Sequence, residues 1–563
     1  MKVRFLVFFC LLLLIRPTFA QKTDSLMRAQ WDAGLKKLSS NDYNDAAVQF
    51  TQLINSGFSN KEVYVKRGVA YYRSKEYEKA KADLDEAVRS RINTQELFEY
   101  RGNTRYNLED IEGAATDLEK AVSMGASSAE TFANLGNAKF RMDNFREAIS
   151  YYDKAIAGGK GDAVIYNNRG KAKSNLQDYN GALPDFDKAL ELKPGNTNTL
   201  QNRADTRYQL KDWKGSSADY EKVIAAGRAD VEFYQKMGTA KYLLLDYAGA
   251  ADALNNVVQK RVRDKDVFKM LGLSLAIQGN CVEAAKSLSA AVSMGANDKE
   301  IFTQLGKCQY LGKEYSGAIE SLGKAIAAGE SSKEVFQYKG LAAFNQKDYD
   351  NAAKDLDKAI SLGADDPEIL KTNGDIKFLK NDFAGAVALY DRAIKGGSND
   401  AVLFNNRGKS KMNLKDLQGA LVDFDKAIQI NPSYTKALLN RGTAKFMLKD
   451  YEGATLDLEK AKSVEGESVE LLSMLGIANY NLGKKEVAKT YLDKALNAGS
   501  KDSRVSLYAG YLRFEANDFK GTQVALTAAE QGGEKEDELY LKRGKANYQQ
   551  KEYSAAVADL EKT

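Results

Sequence analysis

The sequence predicts an all-α array of repeated helix pairs, and three observations carry that prediction. A glycine recurs every 34 residues without insertion or deletion: Gly34, Gly68, Gly102, Gly136, Gly170, then the exception Ala204, then Gly238 and so on to Gly544. Twelve residues after it stands a small residue, four further a large apolar one, and three beyond that usually Ala again, as in Gly408, Ala420, Phe424 and Ala427. Spacings of three and four mark one face of a helix, and two small positions let antiparallel helices approach closely. The composition, 28% charged and 44% hydrophobic, is that of a globular, soluble chain.

The first twenty residues read as an address. Lys2 and Arg4 precede an uncharged run from Phe5 to Ile15, and Thr18, Phe19 and Ala20 form a small-x-small cleavage site before Gln21, so residues 1–20 are expected to be a secretory signal peptide. An apolar run of about eleven residues is short of the roughly twenty a membrane span needs. The mature chain is therefore expected to lack a membrane span and to be periplasmic or extracellular, with a retained N-terminal anchor as the alternative. Cys10 lies inside the run and not at the end of a lipobox. Residues 21–26 form a short lead, and residues 27–563 hold sixteen units, the last incomplete.

With the glycine numbered position 8, position 17 is aromatic in Tyr43, Tyr77, Phe145, Tyr179, Trp213, Tyr247, Tyr315, Tyr349, Phe383, Tyr451, Phe519 and Tyr553. In period and pattern the chain resembles the tetratricopeptide-repeat family from about Met27 to its end. The resemblance implies a solenoid, a right-handed superhelix of antiparallel helix pairs with helix A on the concave face and helix B on the convex one. The family's proline survives only as Pro194 and Pro432; most units carry Gly one position earlier, as at Gly57, Gly125, Gly159, Gly227, Gly295, Gly329, Gly363 and Gly397. That suits a left-handed cap at the end of helix B. Thr563 falls inside helix B of the last unit with no polar capping helix after it, so a partner or a missing domain is expected over the C-terminal face.

Comparing units exposes a paired charge. Position 7 is basic as Arg67, Arg101, Arg169, Arg203, Lys339, Arg407, Arg441 and Arg543; position 23 is Asp in those same units and no others, as Asp83, Asp117, Asp185, Asp219, Asp355, Asp423, Asp457 and Asp559. Two such sets would coincide roughly once in ten thousand shufflings, so the residues are expected to touch. Position 7 faces helix B in the family's packing, which implies structural ion pairs between the two helices of a repeat.

A chain without histidine has no imidazole for general acid/base work, nucleophile activation or a His-containing zinc site. Gly408, Lys409 and Ser410 resemble the end of a phosphate loop, but Leu403 stands where its first glycine must be. No CxxC occurs. No enzyme activity, cofactor or metal is expected. Removing residues 1–20, with three basic residues and no acid, brings the formal charge from +5 to +2, which argues against a nucleic-acid partner.

The expected function is that of an exported, non-catalytic scaffold binding protein or peptide partners in the concave groove; the alternative is a periplasmic scaffold for polysaccharide or envelope export. Positions 6, 9 and 13 share one face of helix A. They carry Asn103, Asn107, Asn134, Asn137, Asn168, Asn175 and Asn202, and later Asn406, Asn413, Asn440 and Asn481. Asn134, Asn168, Asn202, Asn406 and Asn440 are the candidate ladder, because a side-chain amide offers donor and acceptor together to a peptide main chain. The alternative is that Asn only keeps an exposed face polar. Between these stretches Met270, Leu273 and Ile277 form a candidate apolar docking patch, or else are buried by a tighter superhelix.

Cys281 and Cys308 lie at antiparallel ends of neighbouring helices, and an oxidising compartment predicts a disulfide between them, the alternative being two packed thiols. Alkylation of the unfolded, unreduced mature protein distinguishes these: no labelled thiol for the disulfide, two for the alternative.

Overall fold

The computed structural model describes residues 24–563, in which every regular element is an α-helix and no strand occurs. The expected signal peptide lies outside the described residues. The first helix runs over 24–39, so the last residues of the expected lead already belong to helix A of the first repeat. Thereafter helices A and B alternate. Repeat 5 consists of Ala163–Asn175 and Tyr179–Leu192, and repeat 12 of Ala401–Asn413 and Leu417–Ile430.

Local chemistry fixes where each helix begins and ends. Asp178 and Asp416 cap helix B by accepting the backbone N–H of Gly181 and Gly419 at 3.0 and 2.9 Å, satisfying a donor that no helical carbonyl can reach. The turn between helices A and B passes through one left-handed residue, with φ of +64° at Gln177 and +66° at Lys415. Helix B then ends where the sequence places its glycine: Gly159 and Gly397 take φ of +90° and +99°, a conformation that costs glycine nothing.

The fold divides into two compact units, one ending at Gln278 and the other beginning at Gly279. The first holds repeats 1–7 and helix A of repeat 8; the second holds helix B of repeat 8 and repeats 9–16. In the first, Ala182, Phe186 and Ala189 are fully buried, and in the second so are Ala420, Phe424 and Ala427. These are the helix B positions at i, i+4 and i+7, one continuous face.

The recurrent glycine of helix A is required by that face. A Cβ on Gly170 would fall 2.9 Å from Cε1 of Phe186, and one on Gly408 2.7 Å from Cε1 of Phe424 and 3.2 Å from the carbonyl of Ala420. The large side chain sixteen residues on thus lies directly against the helix A backbone. Repeat 6 departs from the rule with Ala204 opposite Tyr220, and there the Ser216 hydroxyl donates to the Ala204 carbonyl at 2.9 Å.

Gly408→Ala should destabilise the second unit by about 1–3 kcal/mol through overpacking, even though alanine is the better helix former. Ala204→Gly should lose only the helix propensity difference of about 1 kcal/mol. Urea denaturation of both variants checks the order.

Candidate functional site on the helix A faces

In the first unit, helices Gln95–Asn107, Ala129–Arg141, Ala163–Asn175 and Thr197–Gln209 stand side by side as helix A of repeats 3–6. Their amides are joined from repeat to repeat. Asn134 Nδ2 donates to Asn103 Oδ1 at 2.9 Å, Asn168 to Asn137 at 3.0 Å, and Asn202 to Asn167 at 2.9 Å. Asn167 in turn donates to Asn168 at 3.2 Å. The Tyr152 hydroxyl, buried at the back of this face, donates to Asn137 Oδ1 at 2.8 Å, and burial raises its pKa well above the ordinary phenol value. A side-chain amide has two donors and two acceptor lone pairs, so each rung is oriented by its neighbours and keeps capacity for a ligand.

These helices enclose a cavity of about 460 Å³ whose lining includes Asn137, Phe140, Arg141, Asn168, Lys171 and Asn202. Arg141 is paired with Glu109 at 2.7 Å. The Lys171 ammonium stands 5.8 Å from the centre of the Phe140 ring. In the second unit Asn406 donates to Asp375 at 3.0 Å, Asn405 to Asn406 at 3.2 Å, and Asn440 to Asn405 at 2.8 Å. Asn167 and Asn405 were not among the sequence candidates; the signal was the paired asparagine before the Arg-Gly of repeats 5 and 12.

The apolar patch requires correction. Leu273 is 1% exposed, and Met270 packs against the cluster of Val267 and Leu271. Only Ile277, 54% exposed, stands free on the surface. Leaving water favours these side chains by about 25 cal/mol per Å², and this part of helix A is close enough to its neighbours for Leu273 to be covered and Met270 to be half-buried.

The charges at positions 7 and 23 meet across each helix pair. Arg67, Arg101, Arg203 and Arg441 set Nε and Nη2 against both oxygens of Asp83, Asp117, Asp219 and Asp457 at 2.6–2.8 Å. Arg543 does the same to Asp559 at 2.8 and 2.5 Å. Arg169 and Arg407 reach Asp185 and Asp423 with Nε at 2.9 Å, and Lys339 reaches Asp355 at 2.5 Å. In several repeats a second cation joins, as Lys173 on Asp185 and Lys411 on Asp423, both at 2.8 Å. Where position 7 is Leu135, the opposing Tyr151 packs against it instead. Cys308 Sγ and Cys281 Sγ lie 2.7 Å apart.

Tetratricopeptide-repeat family models match residues 163–196, residues 309–367 and 339–401, and residues 61–91, 129–157, 401–434 and 469–498. The chain is a tetratricopeptide-repeat protein. Such proteins are typically non-catalytic scaffolds, and no catalytic family is indicated for this tetratricopeptide-repeat chain. No curated protein matches it. Among solved structures it is similar to YrrB, described as a TPR protein with an unusual peptide-binding site, at 20% identity over 34% of this chain and 97% of YrrB, with a TM-score of 0.30. It is also similar to the C-terminal part of a TPR repeat-containing protein from Cytophaga hutchinsonii, at 24% identity over 43% of this chain and 98% of that one, TM-score 0.32. A tetratricopeptide-repeat protein from Parabacteroides merdae matches at 18% identity over 44% and 98% of the two chains, TM-score 0.27. Among the described residues no helix is long and apolar enough to cross a membrane, and no group of His, Cys, Asp and Glu suits a metal ion.

Burial alone would push the Asp457 carboxyl up, but hydrogen bonds from Arg441 and Lys445 outweigh it and hold the group below the ordinary carboxylate range. A folded pKa below the unfolded value of about 3.9 gives stability that is present above that pH and lost as pH falls through the folded pKa. Asp457→Asn should therefore flatten the acid limb of the stability curve below about pH 4, as measured by urea denaturation across pH.

Proposed function

We propose that this tetratricopeptide-repeat protein is an exported, non-catalytic scaffold that holds extended segments of protein partners along its helix A faces. One observation supports the reading most: the cavity across repeats 3–6 is lined by amides that orient one another. An extended main chain presents alternating N–H and C=O groups whatever its sequence, and an amide answers either. The same hydrogen bonds that position the rungs also tie each repeat to the next, so a ligand meets a face already arranged. In the oxidising compartment this reading implies, Cys281 and Cys308 are the thiols that oxidation would join.

The ligands come from affinity capture with the mature chain out of an envelope extract, identified by mass spectrometry and then purified. Their binding is measured to a variant carrying Asn134→Ala, Asn168→Ala and Asn202→Ala, with circular dichroism to verify folding. Each neutral hydrogen bond is worth about 0.5–1.5 kcal/mol, so three together should weaken binding by about tenfold or more. Unchanged affinity for every captured partner would move the binding surface off these helices.

A further inference from the structure

The second unit repeats the amide network of the first. Seven repeats, or 7 × 34 = 238 residues, separate Asn137, Phe140, Asn167, Asn168, Lys171 and Asn202 from Asp375, Phe378, Asn405, Asn406, Lys409 and Asn440. The bonds correspond one to one. Asn168 to Asn137 and Asn406 to Asp375 both measure 3.0 Å, and Asn167 to Asn168 and Asn405 to Asn406 both 3.2 Å. Asn202 to Asn167 measures 2.9 Å and Asn440 to Asn405 2.8 Å. Behind each face a buried tyrosine hydroxyl completes the set, Tyr152 on Asn137 at 2.8 Å and Tyr390 on Asp375 at 2.7 Å. Lys409 stands 5.5 Å from the centre of the Phe378 ring, as Lys171 stands over Phe140.

A shared repeat scaffold does not require this. It fixes the glycine, the small positions and the buried face, but leaves the exposed polar residues of helix A free to vary. Repeat 5 agrees with its neighbour, repeat 6, at 7 of 34 positions, yet with repeat 12 at 20 of 34. The additional agreements include the exposed Lys171 and Lys409, which build no core, and half-buried Asn167 with its buried counterpart Asn405, each bonded to neighbouring amides.

We propose that the chain carries two copies of one peptide site, one in each unit, each receiving an acidic side chain of an extended segment on Lys171 or on Lys409. This rests on the reading that helix A faces bind extended segments. The amides answer the main chain; the lysine answers the acid. Both lysines are exposed, each lies over an aromatic face that carries no formal charge, and neither has a carboxylate within ion-pair distance. The neighbouring arginines are ion-paired, Arg141 with Glu109 and Arg169 and Arg407 with their aspartates. The copies differ at their edges. Leu379 and Leu439 stand where the first site has Arg141 and Gln201, and Asp375 stands where it has Asn137. The second site therefore favours an apolar residue beside the acid, and the Asp375 carboxylate makes it the weaker of the two for acidic segments.

Random peptides displayed on phage and selected against the mature chain supply defined probes. The enriched peptides are synthesised and titrated calorimetrically into the wild type, Lys171→Glu, Lys409→Glu and the double variant, all with exposed changes that leave the core untouched. The expected result is peptides rich in Asp and Glu binding at two per chain, falling to one in each single variant and to none in the double. One peptide per chain, sensitive to only one substitution, overturns the duplication and leaves binding on helix A standing. Enriched peptides without acidic residues, or binding indifferent to both charge reversals, overturn the acidic specificity. Binding lost instead on Val422→Glu, on the outer side of helix B, overturns the helix A reading itself, and a selection that enriches nothing overturns both.

Discussion

The structure depends on one close approach, the helix A glycine against the large side chain sixteen residues later on helix B. A Cβ on Gly306 would fall 2.5 Å from Leu322, and one on Gly510 2.4 Å from Leu526, so these helix pairs pack at a depth that only a missing side chain permits. That depth places positions 7 and 23, next to the glycine and its partner, directly opposite each other. Arg and Asp there meet with two hydrogen bonds, and Leu135 and Tyr151 meet as apolar neighbours. Both solutions satisfy the same geometry. A buried charge is tolerable only when paired, which is why the two positions change together.

The electrostatics of the two faces follow. Between helices, cations and carboxylates neutralise one another in networks such as Arg203 with Asp187 and Asp219. On the helix A face of repeats 3–6 the polar groups are mostly neutral amides bonded between repeats. Ion pairs thus join the two helices within a repeat, and amide hydrogen bonds join one repeat to the next.

Much of this was legible in the sequence because a strict 34-residue period turns every unit into a comparison for every other. The glycine, the small positions of helix B and the paired charges are dictated by contacts inside a repeat, and such contacts recur at fixed spacing. What lies between repeats was harder to read. Helical periodicity assigned Leu273 to the exposed face, but it says which way a side chain points and not whether the adjoining helix covers that row. Asn167 and Asn405 at position 5 sit beside the i, i+3, i+7 row, so a search along that row passes over them although they join its rungs. The seven-repeat correspondence is visible only when distant units are compared with each other rather than with a consensus.

The most direct test of the account is hydrogen–deuterium exchange of the mature chain, alone and saturated with a captured protein partner. With the partner on helix A, slowed exchange should concentrate in Ala163–Asn175 and Ala401–Asn413, with helix B nearly unchanged. Protection confined to Tyr179–Leu192 and Leu417–Ile430, with helix A exchanging as in the free chain, would contradict it.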